Sequence, residues 1–133
     1  MQVDDRARIR VGADLLRVGE VAASIERFGD RYLRRLFTDH ELASSHGAPE
    51  RLAARFAAKE ATVKVLRPAD AQPDWRSIEV RRDASGACHL ALSGTAAAMA
   101  AAAGITDLAV SLTHERDLAA AVVVAIVEED AAA

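Results

Sequence analysis

Cysteine and aromatic residues are scarce in this sequence, and positive charge is not in excess. The only cysteine, Cys88, has no partner for an internal disulfide, and no Cys/His pattern indicates a zinc site. The net charge of −3 provides no overall basic field, so we expect no nucleic-acid partner. The longest apolar run, residues 118–127, is about half of a membrane span, and the first ten residues are too charged for a signal peptide. We therefore expect a cytoplasmic, reduced protein with no membrane partner.

The core of this protein is expected to be thin. Its 133 residues suit one compact domain, residues 1–133, of which 128–133 would form a frayed tail. Hydrophobic residues make up 51% of the chain, but alanine dominates them and aromatic residues reach only 4%. Because each alanine buries little area, association with other copies would be a natural way to bury more apolar surface.

The spacing of apolar residues predicts helices in the first half of the chain and strands mostly in the second. Pro49 suits the first turn of a long helix that runs to about Leu66, where Pro68 stops it. A short first strand is predicted to end near residues 12–14. The other predicted features are a capping box at Thr38–Glu41, a hairpin turn at Asp83–Gly86, a helix over Thr95–Ala103 closed by Gly104, and strands over Leu108–Thr113 and Leu118–Val127. The class is therefore α+β with a largely antiparallel sheet.

The long helix carries two charged residues four positions apart, Glu60 and Lys64, which share one helix face. For an isolated helix the expected interpretation is a surface ion pair, worth about a few tenths of a kcal/mol. The functional interpretation is a carboxylate for a hard cation beside an ammonium for phosphate. Mg²⁺ characteristically takes one or two carboxylates together with phosphate oxygens and water.

Two further residues and one patch each have a structural and a chemical interpretation. Asp14 follows the first predicted strand and either caps the next helix or points its carboxylate into a cleft. His114, at the predicted turn between the last two strands, is either solvated or placed to bind a phosphate. A basic patch within nine residues is either a solvated helix face or a surface for an acidic partner; it consists of Arg27, Arg31, Arg34 and Arg35.

Four segments together resemble the holo-acyl-carrier-protein synthases, which are small 4′-phosphopantetheinyl transferases. The segments occur in the family's order and at about its spacing, so the resemblance covers nearly the whole chain. The Phe-Ala-Ala-Lys-Glu-Ala segment is the most specific of them. The four are Gly12-x-Asp14, Phe28–Thr38, Arg55–Ala61 with Lys64, and Val110–Glu115.

The resemblance implies a long helix packed on a small, mostly antiparallel sheet, and a homotrimer with active sites at the subunit boundaries. It implies that Asp14 and Glu60 bind Mg²⁺, which also contacts the pyrophosphate of coenzyme A. Lys64 matches the lysine near those phosphates. Arg55 and His114 match positions that are associated with coenzyme A binding, including its ribose phosphate.

The reaction that the resemblance implies is Mg²⁺-dependent transfer of 4′-phosphopantetheine from coenzyme A to a serine of an apo acyl carrier protein, with release of adenosine 3′,5′-bisphosphate. In this interpretation the catalytic residues are Asp14, Glu60 and Lys64. Lys59 would join the coenzyme A site or face a neighbouring subunit. The carrier, from fatty-acid or polyketide synthesis, is expected to present an acidic recognition helix.

Two features depart from the family pattern. The turn after Lys64 contains Arg67 and Pro68 and lacks the glycines whose backbone amides can approach a phosphate. Family members commonly have Glu three residues and Arg six residues after the metal-binding aspartate, whereas here Arg17 and Glu20 exchange these charges. The departures favour one alternative, a non-catalytic trimeric module that binds a carrier protein or coenzyme A. A second alternative is a purely structural trimer.

Overall fold

The structure, a computed structural model, describes residues 8–128. In chain order its elements are β1 (Ile9–Arg17), α1 (Val18–Phe28), α2 (Asp30–Leu36), α3 (Asp39–Ser44), α4 (Pro49–Leu66), a short 3-10 helix (Trp75–Ser77), β2 (Ile78–Arg82), β3 (Cys88–Leu92), α5 (Gly94–Ala103), β4 (Ile105–Glu115) and β5 (Leu118–Val127). The predicted frayed tail lies outside the described residues except for Glu128. Between residues 8 and 128, none of the helices combines the length and the apolar character that a membrane span requires.

The strands of the described residues form two antiparallel sheets. β5 lies between β1 and β4 in a three-stranded sheet, while β2 and β3 form a separate hairpin. β1 pairs with β5 from Ile9↔Ile126 to Arg17↔Leu118, and β4 pairs with the other edge of β5 as far as Glu115↔Leu118. The prediction of an α+β fold with mostly antiparallel pairing is confirmed, with the difference that the strands divide between two sheets.

The long helix α4 packs across one face of the three-stranded sheet, which we call the inner face. Gly12 of β1 lies so close to α4 that an added Cβ would come within 2.2 Å of the Ala61 carbonyl oxygen. Backbone atoms cannot move aside as a flexible side chain can, so this crossing requires glycine. The packed core between helix and sheet consists of small residues, among them Ala57, Ala58, Ala61, Val65, Ala121, Val123 and Ala125.

The first strand is longer than predicted. Its end was expected near residues 12–14, but β1 continues to Arg17 because it pairs with β5 along its whole length. Asp14 therefore lies inside a strand, and the residue that precedes α1, Arg17, makes no side-chain capping hydrogen bond. Asp117 of the β4–β5 turn instead accepts a 2.8 Å hydrogen bond from the backbone N–H of Gly19, near the start of α1. The helix-cap interpretation of Asp14 is wrong.

Predictions that rest on local chain chemistry are confirmed. α4 runs from Pro49 to the turn at Arg67, which adopts a left-handed conformation with φ of 51°. The Thr38 hydroxyl accepts a hydrogen bond from the Glu41 N–H, and the Glu41 carboxylate accepts one from the Thr38 N–H, which completes the capping box. Gly104 closes α5 with φ of 76°.

The outer face of the three-stranded sheet, opposite α4, carries exposed apolar side chains. Val11 and Leu15 of β1 are 64% and 63% exposed, and Val122 of the central strand is 44% exposed. Monomeric proteins rarely leave a contiguous apolar surface of this kind uncovered. The outer face comprises Ile9, Val11, Leu15, Leu118, Val122 and Ile126.

Candidate active site

Asp14 and Lys64 meet where β1 crosses α4. The Lys64 ammonium lies 3.3 Å from Asp14 Oδ1 and donates a 2.6 Å hydrogen bond to the Ala13 carbonyl oxygen. The side chain of Asp14 is 17% exposed, whereas that of Lys64 is 52% exposed. The second carboxylate oxygen of Asp14, Oδ2, is buried and has no hydrogen-bond partner among the described residues. The contact thus leaves one carboxylate oxygen available inside the site.

Glu60 lies one turn before Lys64 on α4 and belongs to the same site. Burial raises the pKa of Glu60 above its usual value, the negative charge of Asp14 raises it further, and Lys64 acts in the opposite direction. The two carboxylates are therefore close enough to repel each other. Among the described residues, Lys64 forms its ion pair with Asp14, which is 50 positions away, and not with Glu60. The interpretation of Glu60 and Lys64 as a surface ion pair is wrong.

The two carboxylates fit a hard divalent cation. Asp14 and Glu60 repel each other, and Asp14 Oδ2 is buried without a partner among the described residues. Both facts favour a positive charge between the two carboxylates. Residues 8–128 contain no cluster of three or more His, Cys, Asp or Glu side chains that could hold a metal without other ligands. Mg²⁺ suits such an incomplete set, because it completes its shell with water and phosphate oxygens. Asp14 and Glu60 are the residues that would hold it.

Arg55 lies elsewhere on α4 and makes contacts of its own. Its side chain is buried, donates to the Arg51 carbonyl oxygen at 3.2 Å and to the Ser44 hydroxyl at 3.3 Å, and leaves Nε without a partner within the described part of the chain. Burial is the main cause that lowers the pKa of Arg55, and the charge of Arg82 lowers it further. Within one chain, the structure does not bring Arg55 together with the carboxylate pair.

His114 is exposed near the end of β4 and does not lie in the turn that follows. β4 extends to Glu115, so His114 stands opposite Ala119 of β5, and β5 separates it from β1. At the β4–β5 turn, His114 lines a groove of about 550 Å³ together with Arg17 and Asp117. One chain therefore places His114 apart from the carboxylate pair as well.

The turn after α4 forms a second, basic groove. Arg67 ends the helix in the left-handed conformation that glycine adopts most readily. Arg10 donates a 2.9 Å hydrogen bond to the Val65 carbonyl oxygen, and the two arginines line a groove of about 340 Å³. The chain thus places the Arg67 guanidinium in the turn where the family pattern has glycines, with Arg10 of β1 beside it, and this groove suits an anion.

Lys59 points away from the site into the interior of its own chain. Its ammonium forms an ion pair with Glu41 at 2.7 Å, and both side chains are fully buried. The ammonium also donates to the carbonyl oxygens of Trp75, at 3.0 Å, and Ile78. The second carboxylate oxygen of Glu41 accepts a 2.9 Å hydrogen bond from the Val80 N–H. The expectation that Lys59 joins the coenzyme A site or faces a neighbouring subunit is wrong, because these contacts occupy it fully.

The sequence contained a signal for this buried pair. Leu52, Lys59 and Leu66 lie seven residues apart on α4, and all three are buried. A lysine that shares a buried stripe with two leucines requires a counter-charge and hydrogen-bond acceptors inside the protein. The sequence predicts Glu41 only as part of the capping box, because its second role depends on a contact between distant segments.

Comparison with known proteins identifies the family to which this site belongs. A family model described as the 4′-phosphopantetheinyl transferase superfamily matches residues 10–123. The holo-[acyl-carrier-protein] synthase of Solidesulfovibrio magneticus is 43% identical over 116 residues, which cover 86% of this chain and 94% of that protein.

Solved structures agree with this assignment. A Chronobacterium ammoniagenes ACPS–CoA complex matches with a TM-score of 0.82 and 29% identity, over 91% of this chain and 98% of the other. The acyl carrier protein synthase of Mycobacterium tuberculosis matches with a TM-score of 0.71 and 36% identity, over 89% and 96% of the two chains. The resemblance found in the sequence is confirmed, and the chain belongs to the 4′-phosphopantetheinyl transferase superfamily and, within it, to the holo-acyl-carrier-protein synthases.

Proposed function

We propose that this protein transfers the 4′-phosphopantetheine arm of coenzyme A to a serine of an apo acyl carrier protein, in an Mg²⁺-dependent reaction that releases adenosine 3′,5′-bisphosphate. The observation that carries the proposal is the convergence of Asp14, Glu60 and Lys64 where β1 crosses α4. The proposal is supported by relatives named holo-[acyl-carrier-protein] synthase and by a similar chain solved as a complex with coenzyme A.

The proposed reaction is a displacement at the β-phosphorus of coenzyme A. The serine Oγ forms a new bond to that phosphorus, and the bond to the bridging oxygen breaks, so the electron pair leaves on adenosine 3′,5′-bisphosphate. The serine proton passes to Glu60 or to water. Lys64, whose ammonium already lies at the site, stabilises the negative charge that grows on the phosphate oxygens. Mg²⁺, when bound by Asp14 and Glu60, would supply Lewis-acid stabilisation of the same charge.

The active form is proposed to be a homotrimer with its sites at the subunit boundaries. Two observations support this assembly. The outer face of the three-stranded sheet is apolar and exposed in a single chain, and contact with other copies would bury it. Arg55 and His114, which are proposed to bind coenzyme A, lie apart from the carboxylate pair within one chain. Neighbouring copies could supply them.

We expect Val122→Glu to convert the trimer to monomers and to reduce transfer by more than about tenfold, because burying an unpaired carboxylate in an apolar contact is costly. Val122 lies on the central strand of the outer face. Sedimentation velocity would measure the mass of the particle. Ala84→Glu, at the exposed tip of the β2–β3 hairpin, introduces the same charge away from this face and should leave the trimer intact. Persistence of the trimer in the Val122 variant would contradict assembly through the outer face.

The basic patch is the proposed docking surface for the acidic helix of the carrier. Phe28, Arg31, Tyr32 and Arg35 line a groove of about 410 Å³ on α1 and α2. Phe28 is exposed, and the Arg27 guanidinium lies 5.2 Å from the centre of its ring. An exposed aromatic ring surrounded by arginines suits an amphipathic helix that presents both apolar and acidic side chains.

Glu20→Arg is expected to raise kcat/KM for a fatty-acid carrier several-fold. Glu20 and Arg27 are seven residues apart on α1 and share a stripe of the helix, so the carboxylate lies at one end of the basic patch. A charge at the rim of an interface changes mainly the association rate, so the gain should decrease at high salt while kcat stays the same. Glu20→Gln, which only removes the charge, should give an intermediate value. Equal kcat/KM for all three proteins would rule out an unfavourable contact between Glu20 and the carrier.

One experiment separates the enzyme from the two alternatives. The protein is incubated with apo carrier protein, coenzyme A and Mg²⁺, and the carrier is analysed by intact-mass spectrometry. An added 4′-phosphopantetheine mass on the carrier supports the transferase. A stable complex with an unmodified carrier would instead indicate a binding module, and neither product nor complex would indicate a structural trimer. Repeating the reaction with fatty-acid and polyketide carriers identifies the preferred substrate.

A further inference from the structure

The ammonium of Lys64 contacts the carboxylate that is proposed to bind the cation. Its Nζ donates a 2.6 Å hydrogen bond to the Ala13 carbonyl oxygen and lies 3.3 Å from Asp14 Oδ1. Both contacts join α4 to β1, about fifty residues away in the sequence. Lys64 thus occupies the mouth of the site, where its side chain is half exposed and the Asp14 side chain is largely buried.

This contact makes Lys64 the counter-ion of Asp14 when no other cation is bound. The Lys64 ammonium lies 3.3 Å from Asp14 Oδ1, and Glu60 lies one turn before Lys64 on the same helix. A divalent cation on Asp14 would stand next to the ammonium, and two cations at such a distance repel each other. The ammonium on Oδ1 therefore disfavours a divalent cation at the unpartnered Oδ2 of the same carboxylate.

We propose that Lys64 competes with the divalent cation for Asp14, so that the cation binds weakly to the free protein and tightly only together with a pyrophosphate. A pyrophosphate offers the ammonium other anionic oxygens, which draws Lys64 away from Asp14 and leaves the carboxylate to the metal. Cation and pyrophosphate ligand then increase each other's affinity by the same factor, as linkage requires. This inference rests on the proposed function, because it assumes that Asp14 and Glu60 form the cation site.

The test measures Mn²⁺ binding, through the electron paramagnetic resonance signal of free Mn²⁺, with and without coenzyme A. Without coenzyme A, Lys64→Met should bind Mn²⁺ about tenfold more tightly than the unaltered protein, within the usual range of coupling between sites. Lys64→Arg keeps the positive charge and should bind as weakly as the unaltered protein. Added coenzyme A should increase Mn²⁺ affinity markedly in the unaltered protein and much less in Lys64→Met.

Different negative results would contradict the competition alone or the metal site as well. Equal Mn²⁺ affinity of Lys64→Met and the unaltered protein without coenzyme A, combined with tight binding in its presence, would overturn the competition while leaving the proposed function standing. No Mn²⁺ binding by either protein under either condition would overturn both the competition and the metal site. Far-UV circular dichroism checks that each variant is folded, and Lys64→Gln provides a second neutral replacement at this half-exposed position.

Discussion

Asp14→Ala and Glu60→Gln are each expected to abolish detectable phosphopantetheine transfer, a loss of at least about 10²–10³-fold in kcat. Each substitution removes one of the two carboxylates that converge where β1 crosses α4. Without that negative charge the site would lose its proposed Mg²⁺ and with it the stabilisation of charge on the phosphate oxygens. Transfer is measured by intact-mass spectrometry of the carrier at several Mg²⁺ concentrations.

The fold should survive both substitutions, which separates a loss of chemistry from a loss of structure. Asp14 Oδ2 has no hydrogen-bond partner among the described residues. Lys64 loses its contact with Oδ1, but it keeps the Ala13 carbonyl oxygen as an acceptor and its half-exposed ammonium can bind water, so the loss should cost little stability. Burial and the charge of Asp14 already disfavour the ionised form of Glu60, so a neutral glutamine should be tolerated there. Glu50→Gln, in the first turn of the same helix, makes the same chemical change away from the site and should retain activity. Full activity in Asp14→Ala would refute the metal assignment.

The parts of this fold that sequence reasoning predicted are those controlled by neighbouring residues. Pro49 begins α4, and Gly104 ends α5 with a positive φ, because each depends on the chemistry of one or two positions. The extent of β1 could not be predicted in the same way. Its continuation to Arg17 depends on pairing with β5, about one hundred residues later in the chain. The length of a strand is a property of the pair and not of one segment.

The candidate site also has a part that the sequence predicted and a part that it did not. Spacing and position in the sequence indicate Glu60, Lys64 and Asp14 as candidates, and the resemblance assigns them to one site. The structure brings these three together at one crossing. The roles of Arg55 and His114 stay predictions, because one chain places them away from that crossing. A single sequence does not indicate which residues come into contact across a subunit boundary.

Lys59→Met is expected to destabilise the protein by about 3–5 kcal/mol. The substitution leaves the Glu41 carboxylate fully buried without its counter-charge, and it leaves the carbonyl oxygens of Trp75 and Ile78 without their donor. That loss is a large fraction of the net stability of a typical domain, about 5–15 kcal/mol. Urea unfolding, followed by circular dichroism, would measure the change.

Two matched variants show whether the burial of the Lys59–Glu41 pair causes the loss of stability in Lys59→Met. Arg81→Met removes a cation that is 61% exposed from its 2.6 Å pair with the partly buried Glu79, and it should cost no more than about 1 kcal/mol. Glu41→Gln combined with Lys59→Met removes both buried charges, so it should recover part of the stability that Lys59→Met loses. A catalytic role for Lys59 would give the reverse result, in which Lys59→Met keeps its stability and loses transfer. The position of Lys59 inside its own chain argues that Lys59 holds α3, α4 and the start of β2 together, while its neighbour Glu60 faces the site.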